Sequence, residues 1–136
     1  MRREVLIVGG GRVGRHTAQG LIPERYRVTI VEQDSEKCDS LASYEVNEVI
    51  CGDGTDESVL ADAGIENATV VAGLTNDTDT NRAVAEHAAE VNPDAETIIR
   101  ITHDGQQELG HLKFIDHIVY PAAAGADEAV GEITKL

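Results

Sequence analysis

Lysine is nearly missing from this 136-residue chain, occurring only at Lys37, Lys113 and Lys135. Eleven basic residues stand against 25 acidic ones, which leaves a formal net charge of −14. A nucleic-acid partner calls for a basic patch to neutralise phosphates, so the balance argues against one. It argues equally against direct adhesion to an anionic lipid surface. Aromatics are scarce too, with no Trp, three Tyr and the single Phe114. No apolar run approaches the ~20 residues that a membrane span requires, so no membrane insertion is expected. Met1-Arg2-Arg3-Glu4 leads straight into a strand-like run, without the longer apolar stretch and cleavage site of a signal peptide. The chain reads as cytoplasmic.

Cysteine is limited to Cys38 and Cys51, with no C-x-x-C pair and no metal-ligand spacing toward His16, His87, His103, His111 or His117. Two reduced structural thiols are expected, and the histidines read as surface or helix residues. The acid is spread along the chain rather than gathered in a tail, as on a solvated surface. Many carboxylates with few lysines and one Phe resemble proteins of salt-loving microbes. At ~1 M salt the Debye length is only ~3 Å, so such a surface does not repel itself. Marginal stability is expected at low salt.

What is present is a regular alternation of short apolar runs and helix-like segments. Strands are expected at 5–8, 27–31, 46–51, 69–73, 97–101 and 115–120. Helices are expected at 12–21, from an N-cap at Ser35 to 42, from a cap at Thr55 or Asp56 to 63, and over 76–91, 104–112 and 122–135. Gly64 closes the third helix, Asn92-Pro93 the fourth, and Pro121 opens the last. Such a βα succession with short connections implies a six-stranded parallel sheet with helices on both faces. The α/β doubly wound order 3-2-1-4-5-6 follows. Residues 1–136 read as a single domain, and the helical pattern still running at Leu136 suggests one domain of a longer protein.

The chemistry begins at "EVLIVGGGRVGRHTAQGL", where Gly9, Gly11 and Gly14 have the G-x-G-x-x-G spacing between a strand and a helix. Gly9 permits the tight turn, Gly11 lets a pyrophosphate approach the backbone, and Gly14 lets helix and strand pack closely. The helix N-terminus offers free N–H groups to phosphate, and Arg12 stands in the loop beside them. Glu32 ends the second strand, 18 residues beyond Gly14, where a ribose-binding acid belongs. A carboxylate there accepts the ribose hydroxyls and repels a 2′-phosphate, which favours NAD(H) over NADP(H). ATP, ADP or AMP would present the same ribose. Asp53, in "CGDGTD", lies at the carboxyl edge of the sheet near the adenine side, and an Asp-Gly turn explains it equally. Thr75 and Asn76, in "GLTND", follow the fourth strand as ligand contacts or helix caps. Arg100 interrupts "TIIRI", where a cation needs an anion or an exit to solvent.

Together "VLIVGGGRVGRHTAQGL", "VTIVEQD", "VICGDGTDESVLADAGIENATVVAGLTNDTDTN", "IIRI" and "IDHIVYP" resemble the N-terminal nucleotide-binding domain of TrkA, the RCK or KTN family of K⁺-transport regulators. The resemblance covers nearly the whole chain. It implies a Rossmann-like, cytosolic, non-enzymatic regulatory subunit that binds NAD(H), ATP or ADP. It further implies a homodimer, assembling into a ring beneath a membrane K⁺ channel or transporter that the ligand gates. By residue, the family's phosphate loop falls on Gly9, Gly10, Gly11, Arg12, Val13 and Gly14. Its ribose acid falls on Glu32, where Asp is more usual, and its adenine-side loop on Asp53, Gly54 and Thr55. The contacts after the fourth strand fall on Leu74, Thr75 and Asn76, and the phosphate-side arginine on Arg100. The family's usual C-terminal ligand-binding domain has no counterpart in these residues.

The alternative is the cofactor-binding domain of an NAD-dependent oxidoreductase. Hydride transfer needs substrate-binding and proton-transfer groups beyond the cofactor fold. No Y-x-x-x-K is present, since Ile30, Glu48 and Ala124 follow four places after the tyrosines. His103 is the one histidine expected near the crevice mouth. A third reading is a nucleotide-dependent interaction module with another partner.

Overall fold

The apolar runs of the sequence become one parallel sheet in the computed structural model, which describes residues 3–136. Met1 and Arg2, read as the lead into the first strand, lie outside the described residues. The strands are β1 (Arg3–Val8), β2 (Tyr26–Glu32), β3 (Glu48–Cys51), β4 (Val70–Gly73), β5 (Glu96–Arg100) and β6 (His117–Val119). They pair in parallel in the order 3-2-1-4-5-6, as expected. The helices are α1 (Arg12–Leu21), α2 (Ser35–Leu41), α3 (Glu57–Asp62), α4 (Thr78–Val91) and α5 (Pro121–Ile133).

Alternation along β1 divides the core. Val5 and Ile7 pack on one face with Val28, Ile30, Ala18 and Leu41, while Leu6 and Val8 pack on the other with Leu60, Ile65 and Val84. A third cluster of Ala85, Ile99, Ile101 and Ile115 closes the β5 end. α5 contributes no buried residue, and Val130 and Ile133 stand 59% and 66% exposed on it.

Several boundaries differ from the expectation, each for a local reason. The cap of α2 is Asp34, not Ser35; its carboxylate accepts from the N–H groups of Glu36 and Lys37. Asp34→Ala is expected to cost about 1 kcal/mol, read from urea unfolding. The helix expected over 104–112 is only a 3₁₀ segment, Gln106–His111. Gly105 precedes it with a positive φ, and Gly110 inside it disfavours an α-helix. The strands at the two sheet edges shorten to Glu48–Cys51 and His117–Val119, since an edge has only one partner to extend the pairing.

The largest correction concerns the cysteines. They are not separate thiols: Cys38 in α2 and Cys51 at the end of β3 form a disulfide, with Cα atoms 5.9 Å apart. The β2–α2–β3 crossover folds a 13-residue separation back on itself and lays α2 beside the end of β3. Spacing along the chain carries no trace of that proximity.

Candidate functional site

The strand order reverses between β1 and β4, and a crevice of about 640 Å³ opens there at the carboxyl ends of the strands. That volume falls within the ordinary range for small-molecule and cofactor sites. Its position is the topological switch point at which open α/β sheets bind ligands.

The glycine loop forms its floor. Gly9 has φ +108, and its N–H donates to the Val31 carbonyl at 2.8 Å. A Cβ there would meet the Thr75 backbone nitrogen at 2.8 Å, so only glycine brings the loop against the β4 end. A Cβ on Gly11 would meet no protein atom within 4 Å, because that face opens into the crevice. Gly14 does not line the crevice. It packs α1 onto the loop, where a Cβ would collide with the Gly9 carbonyl.

α1 differs from α2, α3 and α4, though α5 too begins without a side-chain cap, after Tyr120. α2, α3 and α4 are each capped by an aspartate, Asp34, Asp56 and Asp77 respectively, whose carboxylates accept the first N–H groups. α1 begins at Gly11 with no side-chain cap and no acid in its first turn. Its leading N–H groups and positive dipole end therefore remain open, with Arg12 and Val13 at the crevice wall. In so acidic a chain this is an anion-receptive end.

Glu32 is buried, 8% exposed, on the β2 side of the crevice. Its Oε1 accepts the Gly10 N–H at 2.7 Å and its Oε2 the Asp34 N–H at 2.8 Å. Each carboxylate oxygen keeps a further lone pair for a ribose hydroxyl. Asp53 lines the same end and accepts both the N–H and the hydroxyl of Thr55, at 2.8 and 2.7 Å. Those two bonds hold its carboxyl below the usual carboxylate range.

Across the switch point stand Leu74, Thr75, Asn76 and Arg100. Arg100 is half-buried at the end of β5, and its Nε is shielded from solvent with no hydrogen-bond partner. It enters no ion pair among the described residues, so the structural pairing considered from sequence is not what holds it. Alternation explains its place: Ile99 and Ile101 point into the core, and Arg100 emerges on the other face at the strand end.

Eleven of the fourteen residues singled out from sequence line this crevice: Gly9, Gly11, Arg12, Val13, Glu32, Asp53, Gly54, Leu74, Thr75, Asn76 and Arg100. Gly10, Gly14 and Thr55 stand behind it, as the donor to Glu32, the packing residue under the loop and the donor to Asp53. Lining residues that the sequence reading passed over are Val8, His16, Val31, Gln33, Lys37, Thr80 and Pro121. The imidazole at the crevice is thus that of His16, and not the expected His103.

One positioning residue was also missed. Asn81 of α4 is fully buried, and its Oδ1 accepts from the Thr75 N–H at 2.9 Å and the Thr75 hydroxyl at 2.7 Å. Its Nδ2 donates to the Thr75 carbonyl at 3.0 Å and to the Arg100 carbonyl at 2.8 Å. One carboxamide thereby fastens the two elements that face the glycine loop. The signal for it was a polar residue amid the apolar positions of the α4 helix period.

A family model for the TrkA-N domain matches residues 5–121. The Trk system potassium uptake protein TrkA homolog of Pyrococcus abyssi is 36% identical over 128 residues, covering 90% of this chain and 56% of the relative. The chain thus spans about half the length of that curated relative. The crystal structure of the TrkA-N domain of inner membrane protein ybaL from Escherichia coli superposes with a TM-score of 0.84 at 21% identity, covering 96% of each chain. The GsuK channel bound to NAD has a TM-score of 0.75 at 19% identity, covering 88% of this chain and 21% of that one. GsuK bound to ADP has the same score, identity and coverage of this chain, and 31% of that chain is covered. At these identities the structures speak to the fold.

Proposed function

The chain belongs to the TrkA-N domain family, and on that footing we propose that it is the nucleotide-sensing regulatory domain of a K⁺ uptake transporter or channel. It binds NAD(H), with ATP and ADP as the other candidates, and regulates rather than catalyses. The observation that carries this reading is the two-sided crevice. One side offers an uncapped helix end and the Glu32 carboxylate, and the other offers Arg100 with an unpartnered Nε. Adenosine sits over Glu32 and Asp53, with its first phosphates at the α1 N-terminus. The remainder of the ligand lies against Thr75 and Arg100.

A ligand shifts a conformational equilibrium only by its differential affinity for the two states. A nicotinamide and a γ-phosphate load the Arg100 side differently, and that difference is the signal. Its route outward is α5, whose Ala- and Gly-rich, largely exposed surface suits close packing against a second copy. In this reading the domain works as a homodimer, within a ring if larger, in the cytoplasm beneath its transporter. No helix of the described residues is long and apolar enough to cross a membrane itself.

Thermal unfolding in high salt with NAD⁺, NADH, ATP, ADP and NADP⁺ in turn tests the reading. A ligand at ~100 times its dissociation constant adds about 2.7 kcal/mol of stability. At least one adenine nucleotide is expected to raise the midpoint, with NADP⁺ weaker than NAD⁺. Arg100→Met is expected to remain folded and to flatten the difference between NAD⁺ and ATP. No shift from any of the five would reduce the glycine loop to scaffold and overturn the reading.

A further inference from the structure

We propose that Cys38–Cys51 is a reversible thiol–disulfide site whose state sets the affinity of the nucleotide crevice. The inference rests on the crevice binding an adenine nucleotide, as proposed above.

The bond joins two sparsely buried elements of the adenosine half. β3 is an edge strand without a single buried residue, and α2 has seven residues of which only Leu41 is buried. Leu41 and the disulfide are therefore the main anchors of α2. Both ends of the bond sit beside crevice residues: Lys37 immediately precedes Cys38, and Asp53 follows Cys51 by two positions. Between them lies Glu32. Cys51 is its register partner in β3, and the Gly52 N–H donates to the Glu32 carbonyl at 2.9 Å. The Asp34 N–H that holds Glu32 Oε2 belongs to the cap of α2. Opening the disulfide frees α2 from β3 and loosens Lys37, Asp53 and one of the two clamps on Glu32. The oxidised form holds these groups in place before the ligand arrives, so it binds more tightly.

The chemistry is thiol–disulfide exchange with a small thiol. Cys51 is exposed and Cys38 half-buried, so an outside thiolate reaches the Cys51 sulfur. Attack there forms a mixed disulfide and releases Cys38 as a thiolate, which takes a proton. A second thiol attacks the mixed disulfide, restores the Cys51 thiol and leaves as the oxidised small disulfide. Two thiols thus supply the two electrons and two protons. In a reducing compartment an exposed disulfide is in exchange with the thiol pool, which suits a sensor better than a permanent staple.

The test is calorimetric titration of the intact chain in high salt with NAD⁺ and with ADP, oxidised and after reduction by dithiothreitol. Reduction is expected to weaken binding by about fivefold or more. By linkage, saturating NAD⁺ raises the ratio of reduced to oxidised dithiothreitol needed for half-reduction by the same factor. The double variant Cys38→Ser with Cys51→Ser is expected to bind as the reduced protein does in both buffers. Equal affinities in the two states, with only the unfolding midpoint changed, would make the bond purely structural and overturn the proposal. Two free thiols by mass spectrometry under oxidising buffer would overturn it too. Failure to bind either nucleotide in either state would instead overturn the functional reading on which it rests.

Discussion

Asn81→Leu is expected to cost about 3 kcal/mol or more of folding stability and to abolish the response to every adenine nucleotide. The substitution preserves bulk while removing all four hydrogen bonds that the carboxamide makes. The Thr75 N–H, the Thr75 carbonyl and the Arg100 carbonyl then face a hydrocarbon at a position that is itself fully buried. Each buried polar group left without a partner costs about 1–3 kcal/mol. With total stabilities near 5–15 kcal/mol, such a loss is a large fraction of the whole. Asn81→Asp removes the donor half of the clamp alone, and is expected to be destabilising too. It keeps the acceptor for the Thr75 N–H but turns an oxygen toward two carbonyls, so the β4 loop and the β5 end lose their common tie. Urea unfolding measures the first effect, and nucleotide titration of the folded fraction measures the second. A fully stable Asn81→Leu with unchanged nucleotide affinity would show that the clamp holds nothing the crevice needs.

Glu32→Gln is expected to be nearly as damaging as Glu32→Ala, which distinguishes this carboxylate from an ordinary ribose contact. Both oxygens of Glu32 already accept backbone N–H groups, from Gly10 and from Asp34. An amide has one acceptor and one donor end, so one of those N–H groups would meet an NH₂. Hydrogen bonds to a charged group are worth about 1.5–3 kcal/mol each, and at least one is lost. A loss of about 2–3 kcal/mol in urea unfolding is expected for glutamine and somewhat more for alanine, which surrenders both. Nucleotide binding is expected to fall at least tenfold in each, read by titration at a temperature where the variant stays folded. A glutamine variant of wild-type stability that still discriminates NAD⁺ from NADP⁺ would deny Glu32 both roles.

The two variants bracket the crevice. Glu32 ties the glycine loop to the end of β2, and Asn81 ties the β4 loop to the end of β5. Each half of the sheet thus carries its own buried polar fastening, with the ligand space between them.

The order of the sheet, the glycine loop, the acid at the end of β2 and the eleven crevice residues were legible in the sequence. Most of them depend on short-range periodicity, on spacing within one βαβ unit and on the rule that a parallel sheet opens at its switch point, while Val13, Gly54 and Leu74 came with the family resemblance. Each is a property of neighbouring residues, or of a topology with few choices. Residues whose roles depend on distant partners were not legible. Asn81 earns its place through Thr75 and Arg100, which lie 6 and 19 residues away. Cys38 meets Cys51 only because α2 returns beside β3. Lys37 and His16 reach the crevice through the faces that their helices turn to it. The boundary between the two kinds of knowledge is physical. Local pattern determines which elements form, while the packing of one element on another determines which side chains meet, and only the folded chain contains that information.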